Sequence, residues 1–263
     1  MILSSFFIHV YSIMNVEVKH MQYMSREERL LPITSVRNTR DLGGYETQSG
    51  AYTKSHKYVR CAGMDNLTEV DRQYLIDYGM RAVIDLRSSA ERQKEPNVLI
   101  DDDIIKYYSI DLFGGGDAVL VPQNMDFKDM GDLYCVLLDQ AQPAIKEVFK
   151  TFVQYPYDGV IFHCSAGKDR TGVIAALLLD LAGCHEYDIV KDYSESYENN
   201  MEINEKLEKM LEPGQVRYLY SEPLYMMKML NHLRDHYGSS QEYLVKIGLT
   251  NEEIDELKEN FTF

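Results

Sequence analysis

The chain has 263 residues, 42 acidic against 27 basic, a formal charge of −15 and 45% hydrophobic residues. That hydrophobic content is ordinary for a globular protein. The acidic balance argues against nucleic acid as a partner and against broad attraction to an anionic membrane surface, though not against a small basic pocket. Four cysteines (Cys61, Cys135, Cys164 and Cys184) lie far apart, without the paired spacing of a zinc site or a disulfide framework, which points to a reducing, cytoplasmic compartment.

Residues 1–28 read as a leader or flexible segment, and residues 29–263 as a single catalytic domain. The opening run MILSSFFIHVYSIM is apolar, but no Lys or Arg precedes it and no small-residue cleavage site follows, so secretion is the secondary reading. The run is also shorter than the roughly 20 residues needed to span a bilayer, and no integral membrane association is expected. Further on, a helix is predicted from Leu67, with Val70, Leu75 and Ile76 on one face and Gly79 as its stop, followed by a short buried strand, Arg81 to Leu86. Ser88 to Pro96 reads as a loop or short helix. Lys106 to Ile110 reads as a strand emptying into a loop with Gly114, Gly115 and Gly116 between Asp111 and Asp117.

Asp132 to Phe152 has a helical pattern in which Pro143 marks a break or a new first turn, and Gly159 to Phe162 is an apolar strand. Val173 to Ala182 is almost wholly apolar and ends at Gly183, as a central buried helix would. Helical periods follow over 186–211, 222–238 and 251–259. Alternating strands and helices predict an α/β fold, a central mainly parallel sheet flanked by helices, with extra helices at the C-terminal end.

Chemistry concentrates in residues 163–172, His-Cys-Ser-Ala-Gly-Lys-Asp-Arg-Thr-Gly, between the second apolar strand and the core helix. A turn from Cys164 to Arg170 can curl the amides of Ser165, Ala166, Gly167 and Lys168 around one centre. Gly167 permits the bend, and the helix beginning near Thr171 adds its positive end. Such a cradle suits a phosphate dianion, and its field favours a thiolate at Cys164 as nucleophile. Arg170 can fork across two phosphoryl oxygens, so amides and guanidinium together provide the charge stabilisation of phosphoryl transfer with no metal or cofactor. Thr171 either donates its hydroxyl to the sulfur or caps the helix. His163 either orients the loop or is a satisfied structural residue.

The loop, together with Asn38-Thr39-Arg40-Asp41-Leu42-Gly43-Gly44-Tyr45, resembles the bacterial tyrosine/serine protein phosphatase family related to secreted mycobacterial and listerial phosphatases. The likeness extends through residues 83–91, Asp192 to Ser196 and the terminal YLVKIGLTNEEIDELK pattern, roughly residues 33–260. It departs at Thr39, where an aromatic is usual, and around Arg60-Cys61-Ala62. The resemblance implies a three-layer cysteine-phosphatase fold and hydrolysis of phosphotyrosine, and of phosphoserine or phosphothreonine, through a phosphocysteine intermediate.

A leaving alkoxide or phenoxide needs a proton. The resemblance implies Asp169 as general acid or as activator of water; its alternative role is capping the following helix, and Asp111, or Asp117, on the glycine-rich loop competes for the acid's part. Lys168, a second cation beside the phosphate site, would favour substrates with extra negative charge, which keeps phosphoinositides beside phosphoproteins as substrates. Arg87 and Glu91 are expected as a supporting ion pair or as pocket lining, and Arg40 and Asp41 as structural support. Two other classes compete, a phosphate-binding module without turnover and a sulfur-transfer loop; the first is opposed by the intact Cys164, Asp169 and Arg170, the second by Arg170-Thr171-Gly172.

Overall fold

The computed structural model describes residues 23–113, 127–212 and 214–263. Most of the expected leader, the three glycines after Phe113 and the candidate acid Asp117 lie outside them. Among the described residues five strands form one sheet: β1 (Arg40–Asp41), β2 (Tyr58–Cys61), β3 (Met80–Asp85), β4 (Lys106–Ser109) and β5 (Gly159–His163), in the order β1-β2-β5-β3-β4. Among the named strands of the described residues only the β1–β2 pair is antiparallel, so the sheet is mainly parallel as expected. The last strand in sequence is the middle one in space, with His163 level with Cys61 on one side and Asp85 on the other. Cys164 therefore leaves the carboxyl end of the central strand, where α/β sheets hold their ligands.

Side chains alternate across the sheet between two cores. Tyr58, Ala82, Ile84, Val160 and Phe162 pack on one face against α4 (Met130–Gln140), α5 (Gln142–Val153), α6 (Asp169–Leu181), α7 (Glu186–Asn199), α9 (Pro223–Tyr237), α10 (Ser240–Ile247) and α11 (Asn251–Phe261). Val59, Cys61, Val83 and Ile161 pack on the other face with Leu75 and Ile76 of α2 (Glu69–Asp77). The short α1 (Arg26–Arg29), α3 (Ser89–Lys94) and α8 (Met201–Glu208) lie around these layers in the chain order given by their numbers. Among the described residues no helix is long and apolar enough to cross a membrane.

Several boundaries differ from the sequence expectation for local reasons. Val70 does not share a buried face with Leu75 and Ile76: it stands 80% exposed, because five or six residues further along a helix is not the same side. Pro143 opens a new helix, at the second position of α5, where its missing N–H is unneeded. The core helix begins at Asp169 rather than near Thr171, and all its residues from Arg170 to Leu179 are buried. The helical period at 186–211 divides at Asn200 into α7 and α8.

Candidate active site

The turn from His163 to Lys168 is held from outside by its carbonyl oxygens. His163 O accepts from the Leu86 amide at 2.8 Å, Cys164 O from His163 Nδ1 at 3.1 Å, and Ser165 O from the Gly63 amide at 3.0 Å. Ala166 O accepts from Asn38 Nδ2 and Asn200 Nδ2, Gly167 O from Asn38 Nδ2 and Arg60 Nη2, and Lys168 O from Arg60 Nη2 at 3.5 Å. In a planar trans peptide the N–H points away from its C=O. Drawing six successive carbonyls outward turns the amides of Ser165 to Asp169 toward the centre, and among the described residues none of these amides has an acceptor. The first turn of α6 likewise has no side-chain cap, so its positive end adds to the same concavity.

Gly167 is required twice over. Its φ of +64° lies in the left-handed region, and an added Cβ would stand 2.2 Å from the carbonyl oxygen of Cys61. Beneath the loop Asn38 also has a positive φ, 58°, which asparagine tolerates. Arg40 fixes it by donating to both its backbone and side-chain oxygens. Arg40 and Arg60, both fully buried, share the carboxylate of Asp192, and Arg40 Nη2 also reaches Asp192 O and Ser196 Oγ. Burial opposes ionisation of Asp192, but Arg40 and Arg60 outweigh it and hold the carboxyl well below the usual range.

Cys164 is buried, and Arg170 lies beside it under a two-pronged clamp. Arg170 Nη1 and Nη2 each donate at 2.7 Å to one oxygen of Glu91, and Ser165 Oγ donates to the same carboxylate at 2.6 Å. Glu91 also closes a capping box with Ser88 at the start of α3, so one side chain sets both the helix and the arginine. Against the upward push of burial, the bonds and charge of Arg170 keep the Glu91 carboxyl well below its ordinary value. The expected Arg87–Glu91 pair is not formed. Arg87 instead grips both oxygens of Asp85 at 2.7 and 2.9 Å, which steadies the turn leading to α3, and its Nη1 reaches Glu95 O. Glu91→Gln is expected to lower kcat/KM for an aryl phosphate by about 10- to 100-fold while the far-ultraviolet circular dichroism stays unchanged, because an amide cannot accept both prongs; an undiminished kcat/KM would remove Glu91 from this role.

His163 is fully buried, and burial pushes its imidazole pKa down against the pull of Asp85, which leaves it neutral. Its Nδ1–H donates to Cys164 O and its Nε2 accepts from the Asn97 amide at 2.9 Å, so the ring is committed to holding the turn.

With this geometry in place the likeness to known proteins is specific. The family model described as "Tyrosine phosphatase family" matches residues 31–263. The chain belongs to this family. A tyrosine-protein phosphatase of Nostoc commune is 34% identical over 216 residues, 76% of this chain and 72% of the relative. A putative tyrosine-protein phosphatase of Cupriavidus necator is 29% identical over 181 residues, 66% of each chain. The triple specificity protein phosphatase PtpB of Mycobacterium tuberculosis is 38% identical over 53 residues, 20% of this chain and 19% of that one. The expected fold class and hydrolase class are those of the tyrosine phosphatase family.

Around this loop, five expected residues have surroundings that the sequence did not show. Asp169 does not cap α6; its Oδ1 accepts the Tyr134 hydroxyl at 2.5 Å and lies 3.4 Å from Lys168 Nζ. Thr171 is no cap either, and its buried Oγ1 has no partner among the described residues. Lys168 is almost fully buried, and its Nζ donates to the backbone oxygens of Tyr218 at 2.5 Å and Tyr220 at 3.0 Å instead of standing free at the mouth. Asp111 accepts from the Phe113 amide at 2.8 Å, and the Phe113 ring lies 4.9 Å from the Arg170 guanidinium carbon. Asp41 is buried and turned away from the loop, taking the amides of Gly43 and His56 and the Tyr78 hydroxyl. Beside the loop opens a cleft of about 320 Å³ lined by Ser165, Ala166, Lys168, Asp169, Asn204 and Tyr218. Sequence reasoning missed Asn97, Asn200 and Tyr134 and gave Arg60 no role, since each reaches the loop from a distant part of the chain.

Proposed function

We propose that residues 29–263 form one catalytic domain that removes phosphate from phosphotyrosine in proteins through a phosphocysteine on Cys164, with no metal ion. The observation that carries this reading is the outward draw on six successive carbonyls, which gathers amide donors and the start of α6 at one point beside Cys164 and Arg170. In the first step the Cys164 thiolate attacks phosphorus, the bond to the tyrosyl oxygen breaks, and the Asp169 carboxyl gives its proton to the leaving phenolate. In the second, water attacks phosphorus, gives a proton to the Asp169 carboxylate, and the sulfur–phosphorus bond breaks to return the thiolate and release inorganic phosphate. Loop amides and Arg170 stabilise the equatorial oxygens throughout; the long Arg170 contacts to Ser165 (3.4 Å) and Leu86 (3.5 Å) are the ones a phosphoryl group displaces. Asp111 is the competing acid.

Relatives named as tyrosine-protein phosphatases support a phosphotyrosyl substrate. Lys168, held by two carbonyls and near Asp169, is already satisfied without a second substrate phosphate, which supports protein over phosphoinositide. The charge of −15 fits the absence of a nucleic-acid role, and free Cys61, Cys135, Cys164 and Cys184 fit a cytoplasmic site of action.

The test is phosphate release by reduced, chelator-treated protein from a phosphotyrosine peptide, a phosphoserine peptide and a short-chain phosphoinositide, for wild type and Lys168→Ala. We expect the phosphotyrosine peptide to lead by at least about tenfold in kcat/KM. A leading lipid rate that falls selectively in Lys168→Ala would reverse the substrate assignment, and no release from any substrate would overturn the enzyme reading.

A further inference from the structure

Tyr134 of α4 and Tyr193 of α7 are buried phenols in the apolar core, and neither belongs to the loop. Tyr134 lies 2.5 Å from Asp169 Oδ1 and 2.7 Å from the Tyr193 hydroxyl, with the two rings packed edge to face at 5.7 Å. Tyr134 has one proton, and the carboxylate is the stronger acceptor; the Tyr193 hydroxyl must then donate to the Tyr134 oxygen. The result is a two-step donor chain that runs from the core between α4 and α7 and ends on the carboxylate. Burial raises both phenol pKa values well above 10, and the charge of Asp169 adds to the effect, so both protons stay in place over the working pH range.

We propose that Tyr134, polarised by Tyr193, is a positioning residue for proton transfer by Asp169: it holds one carboxylate oxygen so that the other exchanges the proton with the leaving phenolate and the attacking water. The inference rests on Asp169 as the acid. Its consequence is asymmetric between the two steps. When Asp169 gives up its proton, the carboxylate that forms is met by a hydrogen-bond donor already in place, which favours protonation of a poor leaving group. An orienting hydrogen bond from a fully buried phenol also costs no rearrangement during the reaction, since α4 and α7 hold the two rings through core packing.

The experiment compares p-nitrophenyl phosphate, whose resonance-stabilised leaving group departs without a proton, with phenyl phosphate, which needs one. In Tyr134→Phe we expect kcat/KM for phenyl phosphate to fall about tenfold, with a much smaller fall for p-nitrophenyl phosphate. Tyr193→Phe should act in the same direction but more weakly. In an Asp169→Asn background, Tyr134→Phe should have no further effect on the leaving-group ratio. Equal losses on both substrates would overturn the role of Tyr134. If Asp169→Asn itself leaves the leaving-group ratio at the wild-type value, the acid assignment fails, and that outcome is read from a variant in which Tyr134 is intact.

Discussion

Cys164→Ser is expected to retain the wild-type fold and its affinity for a phosphotyrosine peptide while losing turnover by at least about 10⁴-fold. Oxygen is smaller than sulfur, and Cys164 sits in a buried turn whose shape is set by the backbone bonds at Ser165, Ala166 and Gly167, so removal of the sulfur leaves the cradle standing. What is lost is the nucleophile. A serine hydroxyl is not ionised near neutrality, and activating it would need an adjacent base. His163 is next in sequence, yet both its ring nitrogens are engaged, one with Cys164 O and one with Asn97. Asp169 is tied to Tyr134, and Glu91 to Arg170 and Ser165. The variant should therefore trap substrate, and acid-quenched wild type but not Cys164→Ser should carry a phosphoryl group on residue 164 by mass spectrometry. Wild-type turnover in the variant would refute covalent catalysis on Cys164.

The strand, turn and helix around residues 163–172 were legible because their information is local: an apolar strand, Cys164, Gly167, Arg170 and an apolar helix fall within about twenty consecutive residues. The sheet was legible in part. β3, β4 and β5 show as short apolar or β-rich runs, whereas β2 is interrupted by Arg60, a fully buried arginine that reads as a surface residue until its partner Asp192, 132 positions away, is known. The same separation hid the donors that shape the loop, since Asn38 lies 128 residues from Ala166 and Asn97 lies 66 from His163. Glu91 illustrates the limit most clearly. Its spacing from Ser88 is that of a capping box, a local relation, but its bonds to Arg170 cross 79 residues and leave no sequence period. Lys168 is a different case: a lysine in a phosphate loop suggests a cation for the substrate, and only the fold brings the carbonyls of Tyr218 and Tyr220 to it.

Asp192→Asn is expected to destabilise the protein by on the order of 3–5 kcal/mol, which lowers Tm by roughly 10 °C. The wild-type carboxylate serves two guanidinium groups with no exposure of their own, and the Tyr45 hydroxyl lies 3.2 Å from the same oxygen that Arg40 Nε uses. An amide keeps the volume but loses the charge and presents N–H where an acceptor is needed, so Arg40 and Arg60 are left as underpaired buried cations. The pH dependence has a definite sign. The folded-state pKa of Asp192 is depressed below its unfolded value of about 3.9, so its stabilisation is fully present above that value and is lost as the pH falls below it. Urea midpoints at pH 7 and at about pH 3 should show both the lower midpoint of the variant and a shallower loss on its acid side. Function should fall with stability even where the variant is fully folded, because Arg60 Nη2 holds Gly167 O and Arg40 holds Asn38 under Ala166 and Gly167. A fall in kcat with little change in KM would mark loosening of the cradle around the transferring phosphoryl group. Wild-type midpoints at both pH values would show that this buried charge cluster contributes nothing to holding the loop.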